Sequence, residues 1–252
     1  MKQTGQYINI VRNGEQLKER KVAILGKAPS SLSQAPFGDE SWEIWTINNA
    51  AQLGVVPRWN RQFELHPIEW TKRPEYNGYY AWLCQKHGKP VYVRENTPEI
   101  VDQVVYPRDK IIEAFGTKYF TNSISWMLAL AIAEGYGEIG LWGVDMAQHA
   151  VGVVKSEYAS QRPSCEFFIG VAAGMGIKVH IPAASDLLKS AFMYGFDFEE
   201  ADAFREKMDV REKEIRARIE QAEQQKEKAA FEETYLKGAL DDMQYCKQWV
   251  QR

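Results

Sequence analysis

The sequence predicts a three-layer α/β domain on a mainly parallel sheet, followed by a long C-terminal helical extension. Three observations carry this. Short apolar strands alternate with helical patterns, two helix–strand units follow one another late in the chain, and the composition changes abruptly near Phe198. The doubly wound, Rossmann-like arrangement is the economical way to bury both faces of such a sheet.

A chain of 252 residues is long enough for one sizeable core. Its 45% hydrophobic content, with eight Trp, twelve Tyr and eleven Phe, is that of a globular chain. The expected strands are residues 22–25, 43–47, 61–65, 90–93, 138–142 and 177–181. In "FTNSISWMLALAIAEGYGEIGLW", Thr121, Asn122 and Ser123 offer N-cap oxygens. A buried helix then runs from Trp126 to Glu134, Gly135 ends it, and a strand follows. In "RPSCEFFIGVAAGMGIKVHIP", Pro163 suits a first helical turn and the helix runs to about Met175. The domain is therefore taken as 1–197 and the extension as 198–252.

Within the extension, residues spaced by four and three run from Phe204 and Met208 through Ile215, Ile219, Leu236, Leu240 and Met243 to Val250. Such a register favours a coiled coil, and so a homo-oligomer joined by the C-terminal helix; a solvated charged helix is the alternative.

Composition excludes several classes. A net charge of -3 gives no general field for nucleic acid. Cys84, Cys165 and Cys246 form no zinc pattern and suit a reducing cytoplasm. The opening "MKQTGQYINIVRNGEQ" has no apolar targeting core, and no run is long enough to span a membrane. A cytoplasmic protein is expected.

Ligands of doubly wound sheets sit beyond the carboxyl ends of the strands, which singles out four loops. "LGKAPSSL" follows the first strand; Gly26, Lys27 and Ser30 there either hold a phosphate or simply link strand to helix. "TINNAAQL" places Asn48 where an amide suits a base or ribose, although Asn also favours turns. "FELHP" ends the third strand with Glu64 and His66, read as a structural His before a turn more readily than as a proton carrier, and no metal set is completed. After "GLWGVDM", Asp145 stands at the ligand edge; Glu157 is a candidate base and Arg162 a candidate anion clamp.

In this order, "ILGKAPSSL", "WTINNA", "FELHP", "TNSISWMLALAIAEGYGEIGLWGVD" and "GVAAGMGIKVHIPAASDLL" resemble the bacterial lipooligosaccharide sialyltransferases and related Rossmann-like families, over residues 20–190. The resemblance implies a nucleotide-activated sugar donor and assigns Gly26, Ser30, Asn48, Asn122 and Ser123 to its nucleotide. It also implies a tyrosine and a histidine base at positions occupied here by Ala147 and Ala159. A nucleotide-binding, glycosyltransferase-like enzyme with a relocated base is therefore expected, with Lys27 beside the nucleotide and Asp145, Glu157 and Arg162 near the reacting end. The segment "EYASQRPSCEFFIG" and the charged tail are also similar to phage-encoded proteins labelled morphogenetic, which keeps a non-enzymatic assembly protein as the alternative.

Overall fold

The computed structural model describes residues 18–146, 157–190, 193, 196 and 200–250; side chains at 18, 157–159, 200–207 and 248–250 are outside the description. The chain divides into two compact units, Met1–Leu188 and Lys189–Arg252. The boundary expected at 197/198 falls outside the described residues.

In the first unit the order is β1 (Lys18–Leu25), α1 (Pro29–Leu32), β2 (Trp42–Ile47), a 3-10 turn at Asn48–Ala50, β3 (Arg61–Glu64), α2 (Ile68–Thr71) and a 3-10 turn at Pro74–Tyr76. It continues through α3 (Tyr79–Leu83), β4 (Val91–Val93), β5 (Gln103–Val105), α4 (Arg108–Phe115), α5 (Ser123–Ala133), β6 (Tyr136–Trp142), α6 (Glu157–Gly174) and β7 (Lys178–His180). All seven strands are parallel, in the order β5-β4-β3-β2-β1-β6-β7. The chain winds outward from β1 to β5, then returns to build β6 and β7 on the other side of β1. The strand order therefore reverses between β1 and β6.

Alternation along β1 explains the three layers. Val22 and Ile24 point into the core made with α4, α5 and α6, where Trp45, Phe63, Met127, Leu128 and Phe168 are fully buried. Ala23 and Leu25 point the other way, onto Leu32, Ile44, Ala50 and Trp142. Further along that second face, Val91 and Val93 pack on Tyr79 and Leu83 of α3.

Two details differ from the sequence reading. The strand β5, a three-residue edge segment, is additional. Pro163 lies inside α6, not in its first turn. The carbonyl of nearby Gln161 accepts from Asn122 Nδ2 at 2.9 Å and from Thr121 Oγ1 at 3.3 Å. Side-chain donors from the start of α5 thus tie α6 to α5 two residues before the proline.

The amino-terminal edge of the sheet is tied by charge. Arg61, at the start of β3, forms a bidentate pair with Glu134 at 2.7 and 2.8 Å and reaches Glu43 at 3.3 Å. It also donates to Tyr92 and Tyr136, and its guanidinium lies over the Trp45 ring. One side chain thus connects β2, β3, β4, the end of α5 and the start of β6. Arg20 adds bonds to Glu43 and Tyr136.

The second unit contains α7 (Glu200–Val250), a single 51-residue helix whose side chains from 208 to 247 are exposed, apart from half-buried Arg211. The sequence register from Phe204 contains one irregularity when Arg211 is taken as a seam residue: Arg211, Ile215 and Ile219 are separated by four residues twice in succession. Among the described residues no helix is long and apolar enough to cross a membrane.

The charged edge generates a pH prediction. Burial alone would raise the Glu43 carboxyl, but hydrogen bonds from Tyr136, Arg20 and Trp45 and the charge of Arg61 prevail and lower it below its ordinary 4.5. A depressed carboxyl contributes stability that is complete above its unfolded value and lost as pH falls through the folded one. Glu43→Gln should therefore lower Tm at pH 7, and the gap from wild type should narrow below about pH 4. A gap that stays constant from pH 7 to pH 3 would rule this role out.

Candidate functional site at the carboxyl edge of the sheet

The turn after β1 is held against the loop after β6. Gly26 N–H donates to Trp142 O at 2.8 Å and Ala28 N–H to Gly143 O at 2.9 Å. Gly143 N–H donates to Ser31 Oγ at 2.8 Å, and Ser30 Oγ donates to Asp145 Oδ1 at 2.5 Å. The backbones are so close that a Cβ on Gly26 would stand 2.1 Å from Gly143 O. Gly143 has φ +66°, which a side chain would strain. Two of the turn's N–H groups and both serine hydroxyls therefore serve the protein itself. Lys27 extends from the turn to Asn49 Oδ1 at 3.1 Å.

The loop after β6 is fixed from its other side. Ser185 Oγ donates to Val144 O at 2.7 Å and Asp186 N–H to Asp145 O at 2.8 Å. Asp145 is thus anchored through its carboxylate and its carbonyl.

At the start of α5, Asn122 is the N-cap, its Oδ1 accepting from Ser125 N–H at 2.8 Å. Its Nδ2 donates to Gln161 O at 2.9 Å and lies 3.3 Å from Cys165 Sγ. Thr121 Oγ1 and Ser164 Oγ are 2.6 Å apart. Asn122 and Thr121 therefore clasp α5 to α6. Ser123, half-buried in the first turn of α5, has no hydrogen bond to its hydroxyl among the described residues.

The end of β2 is different in kind. Asn48 takes the left-handed conformation, with φ 49°, a strained state that Asn tolerates better than most residues. Its carbonyl accepts from Gln62 Nε2 at 2.7 Å, while its own Oδ1 is buried without a partner. Thr46 Oγ1, Gln52 Oε1 and Gln62 Oε1 share that condition. Thr46 and Gln62 are register partners in β2 and β3, so these polar atoms gather on one face at the strand ends. Buried polar atoms ordinarily find partners, and leaving one unsatisfied costs about 1–3 kcal/mol.

The same face continues to Glu64, which is 3% exposed. Its Oε1 accepts from His66 N–H at 3.0 Å and lies 2.7 Å from His66 Nδ1. His66 is stacked on Trp70 at 5.4 Å between centroids. Glu64 and His66 line a shallow surface depression with Ile68, Val93, Arg94, Glu95 and Thr97. A buried carboxylate aligning an exposed imidazole is the geometry of an oriented proton carrier. The i, i+2 spacing in "FELHP" was the available signal; the burial of Glu64 was not visible.

Arg162 lies on α6 and donates from Nε to Glu166 Oε1 at 2.7 Å; Glu166 also accepts from Leu188 N–H at 2.8 Å. Glu157 begins α6, and its side chain is outside the described residues, as are residue 147 and the side chain of Ala159. Among the described residues no group of three or more His, Cys, Asp or Glu is arranged to hold a metal ion.

No protein-family model matches the chain, and no curated protein matches it. Solved structures resemble it at low similarity. The sialyltransferase CstII from Campylobacter jejuni in complex with CMP-3FNeuAc is 19% identical, with a TM-score of 0.40 over 64% of this chain and 79% of that one. The monofunctional α-2,3-sialyltransferase Cst-I from the same organism is 12% identical, with a TM-score of 0.42 over 78% and 98%. The fold rests on its own topology, and the chemistry has to be read from the side chains.

Two substitutions test the architecture of this edge. Gly26→Ala must push the two loops apart and should cost at least about 2 kcal/mol, a fall in Tm of several degrees. Asn122→Ala removes a cap and the tie to α6 and should cost about 2–3 kcal/mol. Cys165, whose thiol is pushed up to about 12 by burial even though the bond from Asn122 lowers it, should resist thiol reagents at pH 8. An unchanged Tm in Asn122→Ala would argue against the clasp.

Proposed function

We propose that this chain binds a nucleotide-bearing donor along the carboxyl edge of β1, β2 and β6 and acts as a glycosyltransferase-like transferase. The observation that carries this reading is Asn48, held in a strained backbone conformation with a buried amide oxygen that no protein group meets and with Gln62 on its carbonyl. Strain and unsatisfied polarity together at the ligand edge of a doubly wound sheet are what a polar-ligand site looks like before it is filled. In this reading Asn48 meets the base or ribose. Lys27 and Ser123 face the phosphate, with Ser123 in the first turn of α5, where backbone N–H groups favour an anion. Gly26 and Ser30 form the floor, and Asn122 acts by holding Ser123 in place.

Asp145, Glu157 and Arg162 remain assigned to the reacting end, and Asp145 is anchored through both its carboxylate and its carbonyl. Since alanines occupy the positions where the sequence resemblance implies a tyrosine and a histidine base, the acceptor's proton needs another destination. His66, aligned by Glu64, has the chemistry for it. The finer assignment, a nucleotide-activated sugar donor, rests on the sequence resemblance.

The assembly-protein reading has its own support. The Gly26 and Ala28 N–H groups and the Ser30, Ser31 and Asn122 side chains are all committed within the protein, as a pure scaffold would have them. In either reading we infer that α7 joins two copies of the chain.

Thermal-shift titration decides between the two. Cytidine and uridine nucleotides and their sugar conjugates, at a hundred times their Kd, should stabilise the wild type by about 2.7 kcal/mol. Asn48→Ala and Ser123→Ala should each abolish most of the shift, whereas His66→Ala should keep it and lose turnover. If no nucleotide or nucleotide sugar shifts the wild type at millimolar concentration, the transferase reading fails and the scaffold reading stands.

A further inference from the structure

We propose that α7 pairs with α7 of a second copy in antiparallel orientation, in a register set by charges within its own apolar seam. This rests on the inference above that the helix self-associates, and adds direction and alignment to it.

A helix this long with an exposed apolar stripe draws little stability from propensity alone and needs a surface to pack on. With Glu212 in the seam in place of Arg211, the irregularity at Arg211 disappears and the heptad is continuous from Met208. One seam column, the d positions, is Met208, Ile215, Ala222, Ala229, Leu236 and Met243, apolar throughout. The other, the a positions, is Glu212, Ile219, Lys226, Glu233, Leu240 and Lys247, polar at four places out of six. Met208, Ile215, Ile219, Leu236, Leu240 and Met243 are between 41% and 59% exposed, so the stripe is uncovered in the single chain.

The order of charges in the second column decides the orientation. In a parallel dimer each a residue meets its own copy. Glu212, Lys226, Glu233 and Lys247 would then form four like-charged layers. In an antiparallel dimer an a residue shares its layer with a d residue of the second copy. Aligned over the full helix, Ile219 meets Leu236, Leu240 meets Ile215, Lys226 meets Ala229, and Glu233 meets Ala222. Every charged side chain then faces a small or apolar neighbour.

The adjoining a residues complete the match. Each Cα–Cβ bond tilts toward the N-terminus of its own helix, so in antiparallel helices certain a side chains lean toward one another. In this register the converging pairs are Glu212 with Lys247 of the second copy, Ile219 with Leu240, and Lys226 with Glu233. All three are complementary, and symmetry repeats them. Sliding the helices by one heptad brings Glu233 against Glu233 or Lys226 against Lys226, so the alignment is specified as well as the direction. Within one chain, Glu233 holds Lys237 at 2.6 Å and Glu212 holds Arg216, which places further positive charge beside the seam without reversing its pattern.

The experiment uses the full chain carrying Cys84→Ser, spin-labelled at exposed Cys246 while buried Cys165 stays unlabelled. At 1.5 Å per residue, antiparallel pairing separates the two labels by about 55 Å, and parallel pairing brings them within roughly 20 Å. Light scattering gives the mass at the same time. A dimer with the long distance is the expected result. A dimer with the short distance overturns the antiparallel proposal and leaves self-association standing; a monomeric mass overturns both.

Charge reversal gives an independent check. Lys226→Glu should raise the dimer's dissociation constant about tenfold at low salt by creating two Glu–Glu contacts. Adding Glu233→Lys should restore it. If the double reversal binds no better than the single one, the register is wrong.

Discussion

The close approach of the Gly26 and Gly143 backbones is the constraint around which the α/β unit is organised. The chain lays down β2 to β5 on one side of β1 and must then return to place β6 on the other. The two strands flanking the reversal are separated by more than a hundred residues, so local preference cannot align them. A contact that excludes even a methyl group fixes the register at their carboxyl ends. Its consequence is chemical. Donors that a phosphate-binding turn would keep available are spent on Trp142 and Gly143 carbonyls, and the hydroxyls of Ser30 and Ser31 go to the same loop. "LGKAPSSL" is thus first a fastening between strands. Any ligand must be met by what surrounds it: Lys27, the end of β2 and the start of α5.

Much of this was legible in the sequence, and the remainder was hidden for identifiable reasons. Strands buried on both faces announce themselves as apolar runs, and Asn122 was one of three N-cap oxygens, with Thr121 and Ser123, legible before the apolar helix. The edge strand Gln103–Val105 carries no such pattern, because with half-buried and exposed residues it is defined by backbone pairing to β4. Pro163 suggested a helix start because the donors that tie α6 to α5, Thr121 and Asn122, lie about forty residues away. Glu64 and His66 stand two residues apart in the sequence. What makes the pair notable, the burial of Glu64 against Tyr79 with His66 half-exposed beside it, is a product of tertiary packing. The orphaned oxygens of Asn48, Gln52 and Gln62 have no sequence signature at all.

The two edges of the sheet divide the work. At the amino edge, Arg61 satisfies Glu134, Glu43, Tyr92 and Tyr136 at once; removing it would strand partly buried carboxylates, a change that in comparable networks costs about 3–5 kcal/mol. At the carboxyl edge, several polar atoms are buried with nothing to bond, each a debit of about 1–3 kcal/mol unless water or a ligand answers it. A fold that is over-determined at one end tolerates such deficits at the other. On the proposed reading, a ligand whose donors reach Asn48 and Gln62 would recover free energy that these acceptors leave unclaimed, and affinity would depend on how completely its donors match them. A nucleobase or sugar, presenting several N–H or O–H groups in fixed geometry, meets that condition better than a bare phosphate, which at neutral pH has mainly acceptors to offer.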